Sequence, residues 1–204
     1  MLPRTLRIAR DTTLAHEFEL EDRIASCPIE HSVKGMFFAR FVDMAMKLGV
    51  TPESLSLDKP VEGARYVSFS DYPIRDYMRW ANAAAKRKHP RVATSEALRR
   101  IAIEDFERYL ASGLGKVMVA FLTDARSVML RSGQIYGMVT KGPKIESAAD
   151  GSEIRVRYRE YHGPVECYPA GTLEGACRHF GANYEITVDV LSPIDADYHV
   201  RILD

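Results

Sequence analysis

The sequence predicts an α+β fold: an N-terminal helical layer packed on a four-stranded antiparallel sheet, with a strand–strand–helix–strand–strand C-terminal half. Three observations predict it. Apolar residues recur at three- and four-residue spacing from Ser32 to about Tyr136. After Lys144 the pattern becomes an alternation, with Ile154, Val156 and Tyr158 set against Arg155, Arg157 and Arg159. A short helix holding Gly171 and Gly175 then separates this strand pair from two further strands.

The elements follow in chain order. Leu6 and Ile8 start a short strand, and Glu17 to Asp22 is an acidic stretch. The first long helix begins near Ser32, a good N-cap type, carries Phe37, Phe41, Met44 and Leu48 on one face, and stops at Gly49. A minor turn follows at Thr51, with Pro52 at its first position. In the second long helix Asp71 is the expected cap, Pro73 sits in the first turn, and Ile74, Tyr77, Met78, Ala81 and Ala85 form the apolar stripe up to Pro90. A third helix opens at Thr94 or Ser95 and buries Leu98, Ile101, Ala102, Phe106, Tyr109 and Leu110. Gly113 and Gly115 interrupt it, an apolar segment runs from Leu114 to Leu122, and Asp124 caps a further helix to about Tyr136.

Lys144 to Glu146 and Glu153 to Tyr161 form a hairpin around Asp150-Gly151. The glycine-containing helix spans Pro169 to Phe180 and ends at Gly181. Strands over Tyr184–Leu191 and Tyr198–Leu203 close the chain through the turn-like Ser192-Pro193-Ile194-Asp195. The 204 residues read as a single domain: a variable segment over 1–30, a mainly helical part over 31–140, and the sheet with its helix over 141–204.

Charge and cysteine usage narrow the function classes. The 28 Lys and Arg balance 28 Asp and Glu, so no global field attracts nucleic acid or anionic lipid, and self-association meets little repulsion. No apolar run is long enough to span a bilayer, so no membrane association is expected. Arg4, Arg7 and Arg10 have no apolar stretch behind them, which is not the pattern of a secretory signal. Three scattered cysteines, Cys27, Cys167 and Cys177, fit a reducing cytoplasm rather than a disulfide framework.

Catalytic signatures are missing from the sequence: G-x-S-x-G, the P-loop, G-x-G-x-x-G and H-E-x-x-H. The expectation is therefore a protein that is not an enzyme. Glu160, Tyr161 and His162 are adjacent polar residues, and on a strand Glu160 and His162 share a face; such a pair suits a hairpin edge better than an active site. His162, Cys167, Cys177 and His179 are zinc-type ligands, but no C-x-x-C accompanies them. From Arg75 to Arg100 eight cations face only Asp76 and Glu96. This run reads as a solvated helix face paired with the acidic N-terminal stretch, or as a site for phosphates, nucleic acid or an acidic partner; no helix-turn-helix or RNP motif accompanies it, which argues against specific nucleic-acid binding.

Four stretches carry a resemblance: SVKGMFF, DYPIRDYMRWANAAAKRKHP, YPAGTLEGACRHFGANYEITVDV and DADYHVRI. They resemble a paralogous family from myxobacteria, a domain of unknown function, over roughly Leu20 to Asp204. The C-terminal half is also similar to a wider superfamily of haem–nitric-oxide-binding sensors, vinyl-reductase-type ligand domains and vesicle-tethering transport-particle subunits. That resemblance implies a shared fold with a pocket between helices and sheet, and function carries across it only by analogy. The haem sensors share a Tyr-x-Ser-x-Arg motif; here Tyr66-Val67-Ser68-Phe69-Ser70 has serine where the arginine belongs. The expected cofactors are therefore none, neither haem nor zinc.

The candidate site follows. Phe38, Trp80, Tyr158 and Tyr168 are expected in the pocket wall, with Arg155 and Arg157 for an anionic group. Gly171 and Gly175 are expected as structural glycines: each costs about 1 kcal/mol relative to alanine inside a helix, so close packing, or close approach of a ligand, is their reason. The aromatic and methionine content, including Phe37, Phe106, Met118 and Phe121, suits either a filled core or an apolar pocket. The leading function is a cytoplasmic sensory or regulatory module binding a small molecule. The alternative is a dimeric protein–protein interaction or scaffold module with no ligand, and a homodimer or a protein partner is expected.

Overall fold

The computed structural model describes residues 4–111, 115–116 and 122–203. Strand β1 (Arg4–Ile8) leads to α1 (Leu20–Ala25), β2 (Ser32–Lys34), α2 (Gly35–Lys47), β3 (Asp71–Pro73), α3 (Ile74–Lys88) and α4 (Thr94–Ala111). Then come α5 (Ala125–Leu130), α6 (Ser132–Val139), β4 (Thr140–Lys141), β5 (Lys144–Asp150), β6 (Glu153–Arg159), α7 (Tyr168–His179), β7 (Asn183–Ser192) and β8 (Asp195–Leu203). Gly113, expected to interrupt the third helix, and Leu114, Met118 and Phe121 of the apolar segment expected after it lie outside the described residues.

Among the described residues the main sheet is antiparallel and has five strands rather than four, in the order β1-β7-β8-β6-β5. The added strand is the N-terminal one: Leu6 pairs with Val188 and Ile8 with Ile186. A smaller sheet, β3-β2-β4, ties the helical part together.

That smaller sheet corrects two expected caps. Ser32 lies in β2 and Asp71 in β3, so neither caps a helix. At the start of α2 the Gly35 and Met36 N–H groups donate instead to the Ser70 and Ser68 carbonyls, 2.9 and 3.0 Å away. Loop carbonyls thus satisfy donors that a side chain usually takes. Asp71 pairs with Lys34 at 2.7 Å and Lys141 at 2.5 Å. The helix expected from Asp124 divides at Arg131 into α5 and α6, and Asp124 does cap α5, in a capping box with Ser127.

Helices α4 and α7 cross closely because α7 carries glycines where they meet. A Cβ on Gly171 would overlap the Arg99 carbonyl oxygen, and one on Gly175 would lie 2.8 Å from Phe106 Cβ. Buried charges flank the contact. Arg99 pairs with Glu174, and also reaches Glu96 at 2.6 Å and the Thr12 carbonyl at 2.7 Å. Tyr184 donates to Glu174 Oε2 at 2.5 Å. A second cluster joins Glu166, which is fully buried, to Arg23, with His16 at 3.5 Å and Arg4 at 3.6 Å.

Burial pushes the Glu96 and Glu166 carboxyls up. For Glu96 the Leu14 N–H, Arg100 and Arg99 outweigh it, and for Glu166 His16 and Arg23 do, so both end below the ordinary value. A carboxyl depressed in the folded state contributes stability above its unfolded pKa, and that stability is lost as pH falls through the folded one. The urea midpoint is therefore expected to hold near neutral pH and to fall steadily below about pH 4.3, the ordinary glutamate value. A midpoint unchanged well below that pH would contradict this assignment.

Candidate ligand-binding site

A cavity of about 150 Å³ lies between the helices and the inner face of the main sheet. Helix α3 contributes Tyr77, Met78 and Ala81; α4 contributes Asp105, Phe106, Tyr109 and Leu110. Val128 and Met129 of α5 and Ser132, Ile135 and Tyr136 of α6 close one side. Tyr158 comes from β6, Tyr161 from the following loop, and Tyr168, Thr172 and Leu173 from α7. Six of the chain's ten tyrosines thus meet in one place. Away from the cavity Phe38, Phe41, Trp80, Ile101 and Val188 are fully buried.

The polar atoms around the cavity are few. The Tyr77 and Tyr168 hydroxyls share a hydrogen bond of 2.8 Å, and Tyr168 also donates to Asp105 Oδ2 at 3.3 Å. Arg40 holds Asp105 from outside, Nε to Oδ1 at 3.1 Å, while its guanidinium lies over the Phe37 and Tyr109 rings. Burial raises the Asp105 carboxyl, with Arg40 opposing. Burial also pushes the Tyr77, Tyr158, Tyr161 and Tyr168 phenols well above their ordinary value, so they remain neutral and keep their protons. Among the described residues the surface presented to the cavity is aromatic and aliphatic, and its one ionisable carboxyl, Asp105, is already ion-paired.

The expected site residues divide. Tyr158 and Tyr168 line the cavity. Phe38 and Trp80 are fully buried but stand in a neighbouring aromatic cluster: Phe38 stacks on Tyr66 at 4.2 Å, and Trp80 Nε1 donates to the Tyr66 hydroxyl at 3.0 Å. Tyr66 and Ser68, from the near-match to the haem motif, are therefore occupied in packing and in the start of α2. Arg155 and Arg157 lie on the opposite face of β6 from Tyr158, because side chains alternate along a strand. There Arg155 pairs with Asp150 at 2.6 Å and Arg157 faces Asp197 at 4.0 Å. Strand β6 ends at Arg159, and Glu160, at φ +54°, turns the chain away. Glu160 pairs with Lys144 at 2.6 Å while His162 lies 3.3 Å from Ser26 Oγ, so the pair on one strand face does not form.

Sequence reasoning missed Tyr77, Tyr109, Tyr136, Tyr161 and Asp105. Tyr77 and Tyr109 were read as members of apolar stripes, and the usable signal was their hydroxyls: several tyrosines on inner faces need partners or a cavity. Of the cationic run, Arg79 is engaged by Glu21, Asp58 and Asp76, Arg75 by the Cys27 carbonyl, and Lys88 by Glu104. The three cysteines are free and buried, and among the described residues no group of three His, Cys, Asp or Glu is placed to hold a metal ion. Among the described residues no helix is long and apolar enough to cross a membrane.

This arrangement of helices over an antiparallel sheet is the H-NOX-like fold. An H-NOX domain from Shewanella oneidensis in the Fe(II)CO ligation state superposes with a TM-score of 0.65 at 15% identity, over 84% of this chain and 99% of that one. The Fe(II) unliganded H-NOX protein from K. algicida gives 0.62 at 15% identity, over 84% and 97%. A variant H-NOX from T. tengcongensis gives 0.60 at 12% identity, over 84% and 98%. The family model described as "Protein of unknown function (DUF2378)" matches residues 28–201, and the chain belongs to that family. No curated protein matches the sequence.

The fold raises the question of haem, and the residues do not fit it. None of the six histidines and none of the three cysteines is among the residues described as lining the cavity. His16 lies by Glu166, His31 and His162 meet edge-on at 5.4 Å, His89 is by Glu104, His179 is against Phe180, and His199 is by Asp189. Tyrosine and methionine ligate haem in other proteins. Here the tyrosines are held neutral, and no described Arg, Lys or His lines the cavity to meet propionates. The volume is that of a single ring, not of a porphyrin.

Proposed function

We propose that the protein is a non-enzymatic, cytoplasmic sensory or regulatory module, one α+β unit whose tyrosine-lined cavity holds a small apolar molecule. The observation that carries this reading is the cavity itself, about 150 Å³ and lined by six tyrosines. Left empty, a void of that size costs on the order of 3–4 kcal/mol, because its lining lacks contact partners. Apolar cavities of comparable size bind benzene. The H-NOX-like fold supports the reading by analogy only.

Toluene is the direct probe. A ligand that binds only the folded state raises stability, by about 2.7 kcal/mol at a hundredfold excess over Kd. The melting temperature of the wild type is expected to rise with toluene concentration. Ala81, in the cavity wall, is the place to fill it. The Ala81→Leu variant is expected to fold and to lose the toluene response. A wild-type melting temperature indifferent to toluene would remove this reading.

Val67 and Phe69, 61% and 76% exposed, favour a second reading, the homodimeric interaction module. Sedimentation over a range of concentrations separates the two, since a monomer with a toluene response excludes it.

A further inference from the structure

The cationic run from Arg75 to Arg100 is largely engaged inside the chain, and its remainder borders a cleft. Arg75 donates to the Cys27 carbonyl, and Arg79, Arg99 and Arg100 pair with carboxylates. Arg87 and Arg91 are exposed and have no ion pair among the described residues. Between them in the chain, Lys88 enters an open cleft of about 640 Å³ where α2, α3 and α4 meet. The cleft is lined by Arg40, Lys47, Lys88 and Arg108 against one carboxylate, Asp43, and Ala39, Met44 and Leu48 give it an apolar side. Two of the four cations are fixed by carboxylates that do not line the cleft: Arg40 by Asp105 and Lys88 by Glu104. The other two are freer. Lys47 pairs with Asp43 at 2.8 Å, an exposed pair of the weak i,i+4 kind. Arg108, its side chain 48% exposed, comes no nearer than 3.8 Å to Glu104.

We propose that this cleft is a second binding site, for a phosphate monoester whose organic part rests on Ala39, Met44 and Leu48. The site is separate from the tyrosine-lined cavity and stands whether or not that cavity holds a ligand. Lys47, Lys88 and Arg108 lie in the last turns of α2, α3 and α4, where a cation complements the helix dipole. That role does not require the three to share one cleft, and it does not bring in Arg40 from the body of α2. Shared concave walls concentrate their field on whatever enters. Two guanidinium forks and two ammonium groups offer more N–H donors than the two oxygens of a carboxylate accept. A phosphate monoester brings three acceptor oxygens and nearly two negative charges, and arginine forks match its geometry. The apolar side of the cleft gives an ester an advantage over the bare ion.

Phenyl phosphate is the probe, titrated at constant ionic strength into methionine-labelled protein and followed by methyl NMR. Met44 lines the cleft, and Met138, 58% exposed on α6, does not. A saturable shift of the Met44 methyl with Met138 unmoved is the expected result. Arg108→Gln changes a half-exposed side chain, so the variant folds, and it is expected to weaken binding about tenfold, the scale of one charge-assisted hydrogen bond. Arg10→Gln removes the same charge from an exposed position outside the cleft and is expected to bind as the wild type does. A Met44 methyl that does not move overturns the proposal. So does the same affinity in the two variants, which would mark attraction by net charge alone. Sedimentation with phosphatidic acid vesicles and not with phosphatidylcholine vesicles assigns the phosphate to a lipid headgroup. Phenyl phosphate binding without vesicle sedimentation assigns it to a soluble monoester.

Discussion

Replacing Glu174 by alanine lowers the stability of the fold by about 3–5 kcal/mol, the range for removing one partner of a buried ion pair. The reason is what the carboxylate leaves behind. Glu174 is fully buried on α7 and receives Arg99 through two nitrogens, Arg178 at 3.5 Å and the Tyr184 hydroxyl at 2.5 Å. Without it the Arg99 guanidinium, itself 2% exposed, keeps Glu96 and the Thr12 carbonyl but loses its main partner. The loss falls where α4 and α7 cross, at Gly171 and Gly175, so repacking room is small. Urea denaturation of the variant measures it. A change under about 1 kcal/mol, the scale of an exposed ion pair, would mean that the network is solvated.

Trp80→Ala is expected to destabilise by about 3–5 kcal/mol, the usual cost of truncating a fully buried aromatic. The variant also leaves the Tyr66 hydroxyl without the indole N–H that donates to it at 3.0 Å. The same substitution is expected to leave toluene binding intact at temperatures where the variant is folded, because Trp80 is not among the cavity-lining residues. The sequence places Trp80 in the pocket wall and so anticipates ligand loss. The structure transfers the effect to stability, and denaturation together with titration separates the two.

The architecture was legible wherever periodicity carried it. The stripe of Ile74, Tyr77, Met78, Ala81 and Ala85 marked α3, and the alternation around Val156 marked β6. The small sheet was not, because β2 and β3 are three residues each and are set by pairing between distant segments, Lys34 with Asp71 and Val33 with Tyr72. Caps read from Ser32 and Asp71 failed for that reason. The fifth strand, β1, was visible only as Leu6 and Ile8, since its partner β7 lies at the far end of the chain.

The site was legible in part. Alternation already put Tyr158 inward and Arg155 and Arg157 outward, so grouping all three in one pocket conflicted with the strand period. Tyr168 does line the cavity, from the first residue of α7, one position before the helix start that the sequence suggests. Tyr77, Tyr109 and Tyr136 come from three different helices, and a cavity is a property of how helices meet, which no single helix records. Whether a core of aromatic residues is filled or hollow depends on distances between such elements, not on composition.

The most direct measurement is a methyl NMR titration of methionine-labelled protein with toluene. Met78 and Met129 line the cavity, and Met46 is 46% exposed on α2. Saturable shifts of the Met78 and Met129 methyls, with Met46 unmoved, are the expected result. Unmoved Met78 and Met129, or weak unsaturable drift of all the methionines together, would contradict the claim that the cavity is a ligand site.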